Sequence, residues 1–294
     1  MMPALIRHTV REQVEAATAR LAAAGVPTPR ADAEWLLAGL RGVGRGALAL
    51  SFAETMDGVQ ADRYERAVRR RERREPLQHI LGWEEFRGLR FALTPAVMIP
   101  RPETELLVDW ALALLPPAAG GRRLAIDVGA GSGCIACGLA RARGDVRVIA
   151  VEASPAAAAI ATANVTRLRL TGQVTVAVSD LFSGLRPTRV DLIVANPPYL
   201  PTSTLGDLSP EVIDHEPRLA LDGGERGLRI IRRIVADAPA WLKPAGVLVM
   251  ETAGGEQAHD TAQLFSTAGL TDVALRGDLA GVERFVAGRM PEAR

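Results

Sequence analysis

The tetrapeptide Asn196-Pro197-Pro198-Tyr199 is the part of the sequence with the most specific chemistry. Two successive prolines fix the backbone and remove two amide donors, which leaves their carbonyl groups as acceptors. The Asn196 side chain adds another carbonyl acceptor. Two acceptors can hold both hydrogens of a planar NH2 group, while the Tyr199 ring packs against the planar target. We therefore expect Asn196 and the carbonyl groups of Pro197 and Pro198 to bind an amino or amide nitrogen, with Tyr199 packing against the target.

Such an acceptor pair suits methyl transfer to nitrogen. An amide nitrogen is a poor nucleophile because its lone pair is delocalised. A site that methylates it must align the nitrogen with an electrophilic methyl carbon, exclude water and stabilise the positive charge that grows on nitrogen. The sequence offers no obvious general base. We therefore predict that Asn196, Pro197 and Tyr199 act by orientation, and that the proton is lost to water after transfer.

A glycine-rich loop is the second candidate binding element. It follows an apolar run and precedes a helical pattern, and its glycines allow a sharp turn and a close approach to a ligand. The loop does not match the dinucleotide-binding fingerprint, which needs glycine at position 134, where Cys134 stands. It is not a Walker A phosphate-binding loop either, because no Gly-Lys-Ser/Thr follows. A tight structural turn is the alternative. The predicted cofactor contacts in this loop are Asp127, Gly129, Ala130, Gly131, Ser132 and Gly133.

Acidic residues end the next two apolar runs. Glu152 can accept two hydrogen bonds from a ribose diol. Asp180 can accept a hydrogen bond from an adenine amino group, and Leu181 or Phe182 can pack on the ring. Solvated strand ends are the alternative for both acids. Together with the glycine loop, these residues predict a ligand that contains adenosine without a pyrophosphate, such as S-adenosylmethionine.

Strands and helices that would position these residues alternate from residue 124 onward. This alternation predicts a mostly parallel sheet that is covered by helices on both faces. Ligands bind such sheets at the carboxyl ends of the strands, where the glycine loop and the 196–199 loop would lie. The last two strands are close enough in sequence to pair antiparallel. The predicted strands are 124–128, 146–151, 174–178, 190–195, 247–250, 273–276 and 284–287, and the predicted helices are 133–142, 155–168, 227–242 and 256–268.

Residues 1–75 have helical patterns only. Thr9 and Glu12 fit a capping box, Thr28-Pro29 opens a helix that reaches Leu40, and a third helix covers about 59–74. A β-hairpin is predicted from 83–86 and 89–93 around Arg87-Gly88, followed by a helix over 102–115. We therefore predict a helical domain over 1–78, a hairpin linker over 79–99 and an α/β domain over 100–294.

Composition narrows the classes of function. The 294 residues carry a net charge of +1, which argues against broad electrostatic binding to nucleic acid. Two cysteines imply no disulfide framework, and no apolar run approaches the ~20 residues of a membrane helix. We expect a cytoplasmic protein without a membrane partner. No metal site is predicted, because ligand spacing is lacking among His79, His215 and His259.

Two further patterns have plain structural explanations. Cys134-Ile135-Ala136-Cys137 looks like a redox motif, but it follows the glycine loop, where small residues permit close packing. Residues 63–75 contain seven arginines and three glutamates. We expect a solvated helix face there, and contact with an acidic protein surface or with nucleic acid is the alternative.

Several motifs resemble those of the peptide chain release factor N5-glutamine methyltransferases, or HemK-like proteins. The most specific is Ile99-Pro100-Arg101-Pro102-Glu103-Thr104-Glu105, and the resemblance spans nearly the whole chain. It implies a Rossmann-like class I methyltransferase domain with a seven-stranded sheet, a small N-terminal helical domain that helps to bind the substrate, and a hairpin linker. It also implies S-adenosylmethionine as cofactor, held by Gly129–Gly133, Glu152 and the 180–182 turn. As substrate it implies the glutamine of the Gly-Gly-Gln motif in class 1 release factors, whose amide Asn196 and Pro197 would hold. The further matching motifs are 75–82, 127–133, 179–182, 196–199 and 216–221.

Other functions remain open at this stage. Adenine-N6 nucleic-acid methyltransferases share Asn-Pro-Pro-Tyr, but they would need a recognition region rich in basic and aromatic residues, and only 4% of this chain is aromatic. We therefore expect no stable nucleic-acid partner. A glutamine methyltransferase for a ribosomal protein and a non-catalytic binding module are further alternatives. The chain also departs from the family, with Glu152 where many relatives have Asp and Leu181 where some have Trp.

Overall fold

The structure is a computed structural model that describes residues 9–115 and 121–292. Contacts divide the chain into two compact units. The first comprises Met1–Trp83 and Ser209–His215, and the second comprises Glu84–Leu208 and Glu216–Arg294. The domain boundaries proposed after residues 78 and 99 stay predictions. No helix among the described residues is both long and apolar enough to cross a membrane.

The first unit is helical, as predicted. Helix α1 begins with the expected capping box, in which the Glu12 amide donates to Thr9 Oγ1 and the Thr9 amide donates to Glu12 Oε2. Thr28 precedes α2 but does not cap it, because its hydroxyl donates to Asp32 instead. Three single-turn helices were not predicted. The helices are α1 (Val10–Ala23), α2 (Pro29–Arg41), α3 (Arg45–Leu48), α4 (Gly58–Glu72), α5 (Leu77–Leu81) and, later in the chain, α9 (Pro210–Ile213).

A buried arginine links three of these helices. The Arg71 guanidinium in α4 donates to Asp32 Oδ2 of α2 and to Glu211 Oε1 of α9, both at 2.7 Å, and its side chain is 5% exposed. Arg74 donates to both Glu211 carboxylate oxygens. These two arginines hold the pKa of Glu211 at about 2, against the opposing effect of burial. The segment Ser209–His215 is therefore fixed to the helical unit by charge-assisted hydrogen bonds.

The second unit opens with the predicted hairpin, β1 (Trp83–Phe86) and β2 (Leu89–Ala92). Arg87 and Gly88 both have positive φ angles, 50° and 69°, as a type I′ turn requires. Phe86 and Phe91 pack edge to face, with their ring centroids 6.2 Å apart. The turn residues identified in the sequence therefore set the register of the hairpin.

A seven-stranded sheet forms the centre of the second unit, in the order β5-β4-β3-β6-β7-β9-β8. The first five strands in this order are parallel, and β9 pairs antiparallel with β8, as predicted, and also with β7. Strand β7 is longer than predicted. The strands are β3 (Arg123–Val128), β4 (Val146–Glu152), β5 (Val174–Val178), β6 (Val190–Ala195), β7 (Leu242–Glu251), β8 (Thr271–Gly277) and β9 (Glu283–Arg289).

Helices cover both faces of this sheet, which explains the nearly continuous apolar character of its inner strands. Every residue of β6 is buried. One buried cluster includes residues of α6, α7 and α8, and a second includes residues of α10 and α11. The helices are α6 (Pro102–Leu114), α7 (Cys134–Ala142), α8 (Pro155–Arg167), α10 (Arg229–Trp241) and α11 (Glu256–Thr267).

The order of the strands reverses direction beside β3. The chain proceeds from β3 to β4 and β5 on one side, and then returns to β6 and β7 on the other. In open α/β sheets this reversal opens a crevice at the carboxyl ends of the strands. The loops that follow β3, β4 and β6 therefore meet at one edge.

Replacing Arg71 with alanine tests the ion-pair network of the first unit. The variant leaves the buried Asp32 carboxylate without its cation and removes one of the two arginines at Glu211, so we expect the unit to lose about 3 kcal/mol or more of stability. Amide hydrogen exchange of α2 and α4 in the full chain measures the loss. Arg69→Ala is the matched control, because the Arg69 side chain is 65% exposed and pairs with Glu65 within α4. Equal losses in the two variants would contradict the structural role of Arg71.

Candidate active site

The glycine loop turns sharply at the carboxyl end of β3. Gly129, Gly131 and Gly133 have φ angles of 78°, 53° and 81°, a region that residues with a side chain rarely adopt. The Gly129 and Ala130 amides both donate to the Val151 carbonyl at 2.9 Å, which ties the loop to the end of β4. The alternating glycines are therefore required by the backbone path of the loop.

Glu152 connects the glycine loop to the turn that follows β4. Its Oε2 accepts the Gly131 amide at 2.9 Å, and its Oε1 accepts the Ser154 amide at 2.8 Å. The side chain is buried yet lines the cavity beside the glycine loop. A carboxylate has about four acceptor positions, so two bonds to the backbone leave capacity for ligand hydroxyl groups.

A cavity of about 300 Å³ lies at this edge, a volume typical of small-molecule sites. It brings together loops that are far apart in sequence. Most of the predicted site residues line it: Gly129, Ala130, Gly131, Ser132, Glu152, Asp180, Leu181, Asn196, Pro197 and Pro198.

Three predicted site residues are placed differently: of the residues that the structure describes, Asp127, Gly133 and Tyr199 do not line the cavity. Asp127 is fully buried, and its Oδ2 accepts the Ala136 amide of α7 at 3.0 Å. Burial raises the pKa of Asp127 to about 7. Asp127 therefore supports the turn from β3 into α7, while Gly133 packs closely against α8 at Ala161.

The turn after β5 presents Asp180 and Leu181 to the cavity. Asp180 is exposed, and its Oδ2 accepts a hydrogen bond from Arg233 at 2.7 Å. Leu181 lines the cavity with a φ angle of 51°. Phe182 was the other candidate for packing on a ring, but it stacks on Trp241 at a centroid distance of 5.1 Å. Leu181 is therefore the apolar side chain of this turn that can contact a ligand.

The 196–199 loop is held from behind by residues that the sequence analysis missed. Gln257 Nε2 donates to the Tyr199 carbonyl at 2.9 Å. Gly227 lies against the same carbonyl so closely that an added Cβ would be 2.0 Å from it, and a Cβ at Gly223 would be 2.7 Å from the Pro198 carbonyl. The Asp222-Gly223-Gly224 sequence is a recognisable turn signal, but its partner loop could not be read from the sequence.

Two further residues bond the 196–199 loop, and one of them, Thr104, itself lines the cavity. The Asn196 side-chain amide donates to Thr104 Oγ1 at 3.0 Å, and the Tyr199 hydroxyl donates to Glu251 Oε1 at 3.2 Å. Thr104 and Glu251 are both buried. The sequence could have indicated both residues as site candidates, because Thr104 belongs to a family motif and Glu251 ends the strand β7 beside β6.

Comparisons with known proteins agree with this geometry. Two family models match, the PrmC N-terminal domain over residues 12–82 and the methyltransferase small domain over residues 104–224. A release factor glutamine methyltransferase of Geobacter sulfurreducens is 42% identical over 96% of this chain and 97% of its own length. The chain belongs to the release factor glutamine methyltransferase family.

Other relatives extend the same comparison. A release factor glutamine methyltransferase of Mycolicibacterium smegmatis is 42% identical over 94% of this chain and 96% of its own length. A crystal structure of a methyltransferase from Pyrococcus furiosus aligns with a TM-score of 0.54 at 17% identity, over 70% of this chain and 91% of that chain. That structure supports the fold, and the sequence relatives support the family.

Replacing Gly227 with alanine tests the packing behind the 196–199 loop. The new methyl group would overlap the Tyr199 carbonyl, so we expect the loop to shift and methyl transfer to fall by about tenfold or more. Steady-state turnover and cofactor affinity measure the effect. Gly269→Ala is the matched control, because Gly269 also has a positive φ angle, 86°, but has open space at its Cβ. A similar loss in the control would assign the effect to backbone strain instead of the loop.

Proposed function

We propose that this chain transfers a methyl group from S-adenosylmethionine to the side-chain amide nitrogen of a protein glutamine. The glutamine is the one in the Gly-Gly-Gln motif of class 1 peptide chain release factors. The observation that carries the proposal is the placement of Asn196 and Pro197 on the wall of the same cavity as the glycine loop and Glu152. Near-full-length relatives named release factor glutamine methyltransferases support the same substrate class.

The cavity has the hydrogen-bond acceptor and the apolar surface that an adenosyl ligand requires. Glu152 offers acceptor capacity for the ribose hydroxyls, and Leu181 offers an apolar surface for the adenine ring. The loop Gly129–Gly133 leaves its backbone open to a ligand, because no side chain projects from its three glycines. When bound there, S-adenosylmethionine supplies an electrophilic methyl group on a positively charged sulfur.

The residues of the 196–199 loop then act on the target amide. Asn196 Oδ1 and the Pro197 carbonyl each accept one amide hydrogen, which fixes the plane of the NH2 group. The nitrogen is thereby held in line with the methyl carbon, and both acceptors stabilise the positive charge that grows on nitrogen. The Tyr199 hydroxyl bonds to Glu251, and the packing of its ring on the target stays a prediction.

The methyl transfer requires no oxidant or reductant. A nitrogen–carbon bond forms, the sulfur–carbon bond breaks with its electron pair going to sulfur, and one proton leaves the methylated nitrogen for water. The enzyme's own contribution is therefore orientation, desolvation and electrostatic stabilisation.

A cytoplasmic location is also proposed, since release factors act on ribosomes in that compartment.

A labelling experiment tests the substrate. The protein is incubated with methyl-labelled S-adenosylmethionine and one of three acceptors: a class 1 release factor, the same factor with its Gly-Gly-Gln glutamine replaced, or DNA. We expect label in the first acceptor alone, because only it offers the amide in an accessible loop. Label in DNA would favour adenine methylation, and label in both release factors would exclude the motif glutamine as the target.

Replacing Asn196 with alanine tests the acceptor role. The variant keeps the glycine loop and Glu152, but it removes one of the two acceptors at the reacting nitrogen. We expect kcat to fall by about 100-fold, while the Kd for S-adenosylmethionine changes by less than about threefold. Single-turnover rates and calorimetric titration measure the two quantities. A loss that appears only in cofactor affinity would contradict the proposed role.

A further inference from the structure

Four side chains form a continuous hydrogen-bonded chain that begins in the cavity wall with Asn196 and Thr104 and continues to Glu251 and Tyr199. Asn196 Nδ2 donates to Thr104 Oγ1 at 3.0 Å, and Thr104 Oγ1 donates to Glu251 Oε2 at 2.9 Å. The Tyr199 hydroxyl donates to the other oxygen of Glu251 at 3.2 Å. Thr104 and Glu251 are 2% and 1% exposed, so water does not compete for these bonds.

The chemistry of the groups fixes the direction of this chain. An ionised carboxylate can only accept hydrogen bonds, so the single hydroxyl hydrogen of Thr104 is directed to Glu251. The Thr104 oxygen then has only lone pairs to offer to Asn196. Only the NH2 end of the Asn196 amide can bond to it, and the carbonyl oxygen Oδ1 is therefore at the other end of the amide.

We propose that Thr104 and Glu251 are positioning residues that lock the Asn196 side chain with its carbonyl oxygen toward the target nitrogen. An asparagine amide is nearly symmetric in shape, so packing alone does not distinguish its two orientations. The reversed orientation would direct an NH2 donor at the NH2 group of the substrate. Two donors would then face each other, and the acceptor that stabilises the growing positive charge would be lost.

The surroundings of Glu251 determine the conditions for a test. Burial raises the pKa of Glu251 to about 7, and nearby Glu103 acts in the same direction. Hydrogen bonds from Thr104 and Tyr199 and the charge of Arg284 act in the opposite direction. An assay at about pH 8.5 therefore keeps the carboxylate ionised and the direction of the chain defined.

Replacing Thr104 tests the lock at that pH. Thr104→Val keeps the shape but removes the hydroxyl, so we expect kcat to fall by about tenfold while the Kd for S-adenosylmethionine is unchanged. Thr104→Ser restores the hydroxyl and should recover kcat to within about threefold of the wild type. Thr261→Val is the matched control, because Thr261 is also buried but its hydroxyl donates to the Gln257 carbonyl of its own helix. Full turnover in Thr104→Val, or a serine variant as slow as the valine variant, would overturn the proposal.

A double-variant cycle tests whether the two residues act as one unit. Glu251→Met removes both acceptors at similar volume, and we expect a loss of kcat close to that of Thr104→Val. The double variant should lose no more than either single variant, because the orientation of Asn196 is already released. Losses that multiply would show independent roles and overturn the proposal.

This inference rests on the proposed function, and the labelling activity of the wild-type protein distinguishes a failure of the function from a failure of the inference. If the wild type fails to label the release factor glutamine, the proposed function is wrong whatever the variants do. If the wild type labels it and Thr104→Val turns over normally, only the inference on Thr104 and Glu251 fails. Thermal unfolding of each variant confirms that the comparison is made between folded proteins.

Discussion

Parallel pairing of β3 with both β4 and β6 is the constraint on which the site depends. A strand that is flanked by parallel neighbours on both sides delivers three carboxyl ends to one edge of the sheet. The ends of β3, β4 and β6 carry the glycine loop, Glu152 and Asn196. Residues separated by more than 60 positions in sequence thus share one cavity, and each loop needs only local features to complete its part.

Local features were readable from the sequence because they depend on near neighbours. The capping box at Thr9, the hairpin turn at Arg87-Gly88 and the apolar runs of the inner strands all follow from short-range sterics and burial. The positions of the site loops followed from the edge rule for parallel sheets. The α/β fold with its helical and hairpin additions was therefore predictable, as was the grouping of Glu152 with the 196–199 loop.

The hydrogen-bond partners of the site residues that lie far away in sequence could not be predicted from the sequence. Nothing near Asn196 in sequence indicates that its amide bonds to Thr104, 92 positions away, or that Tyr199 turns its hydroxyl to Glu251. Asp127 looked like a cofactor ligand because it opens the glycine motif, yet it bonds the backbone of α7. A side chain that starts a binding loop can serve the loop's own backbone, and only the three-dimensional path distinguishes the two roles.

The segment Ser209–His215 gives the chain an unusual connectivity. It leaves the α/β unit after Leu208, joins the helical unit through Glu211, and returns at Glu216. The peptide chain therefore passes between the units at three points, and a cut near residue 83 would leave the fragments joined by side-chain contacts. A shortened protein without residues 1–83 would keep Glu211 but lose both of its arginines. Removing the helical residues therefore also removes the ion pairs that hold the segment Ser209–His215.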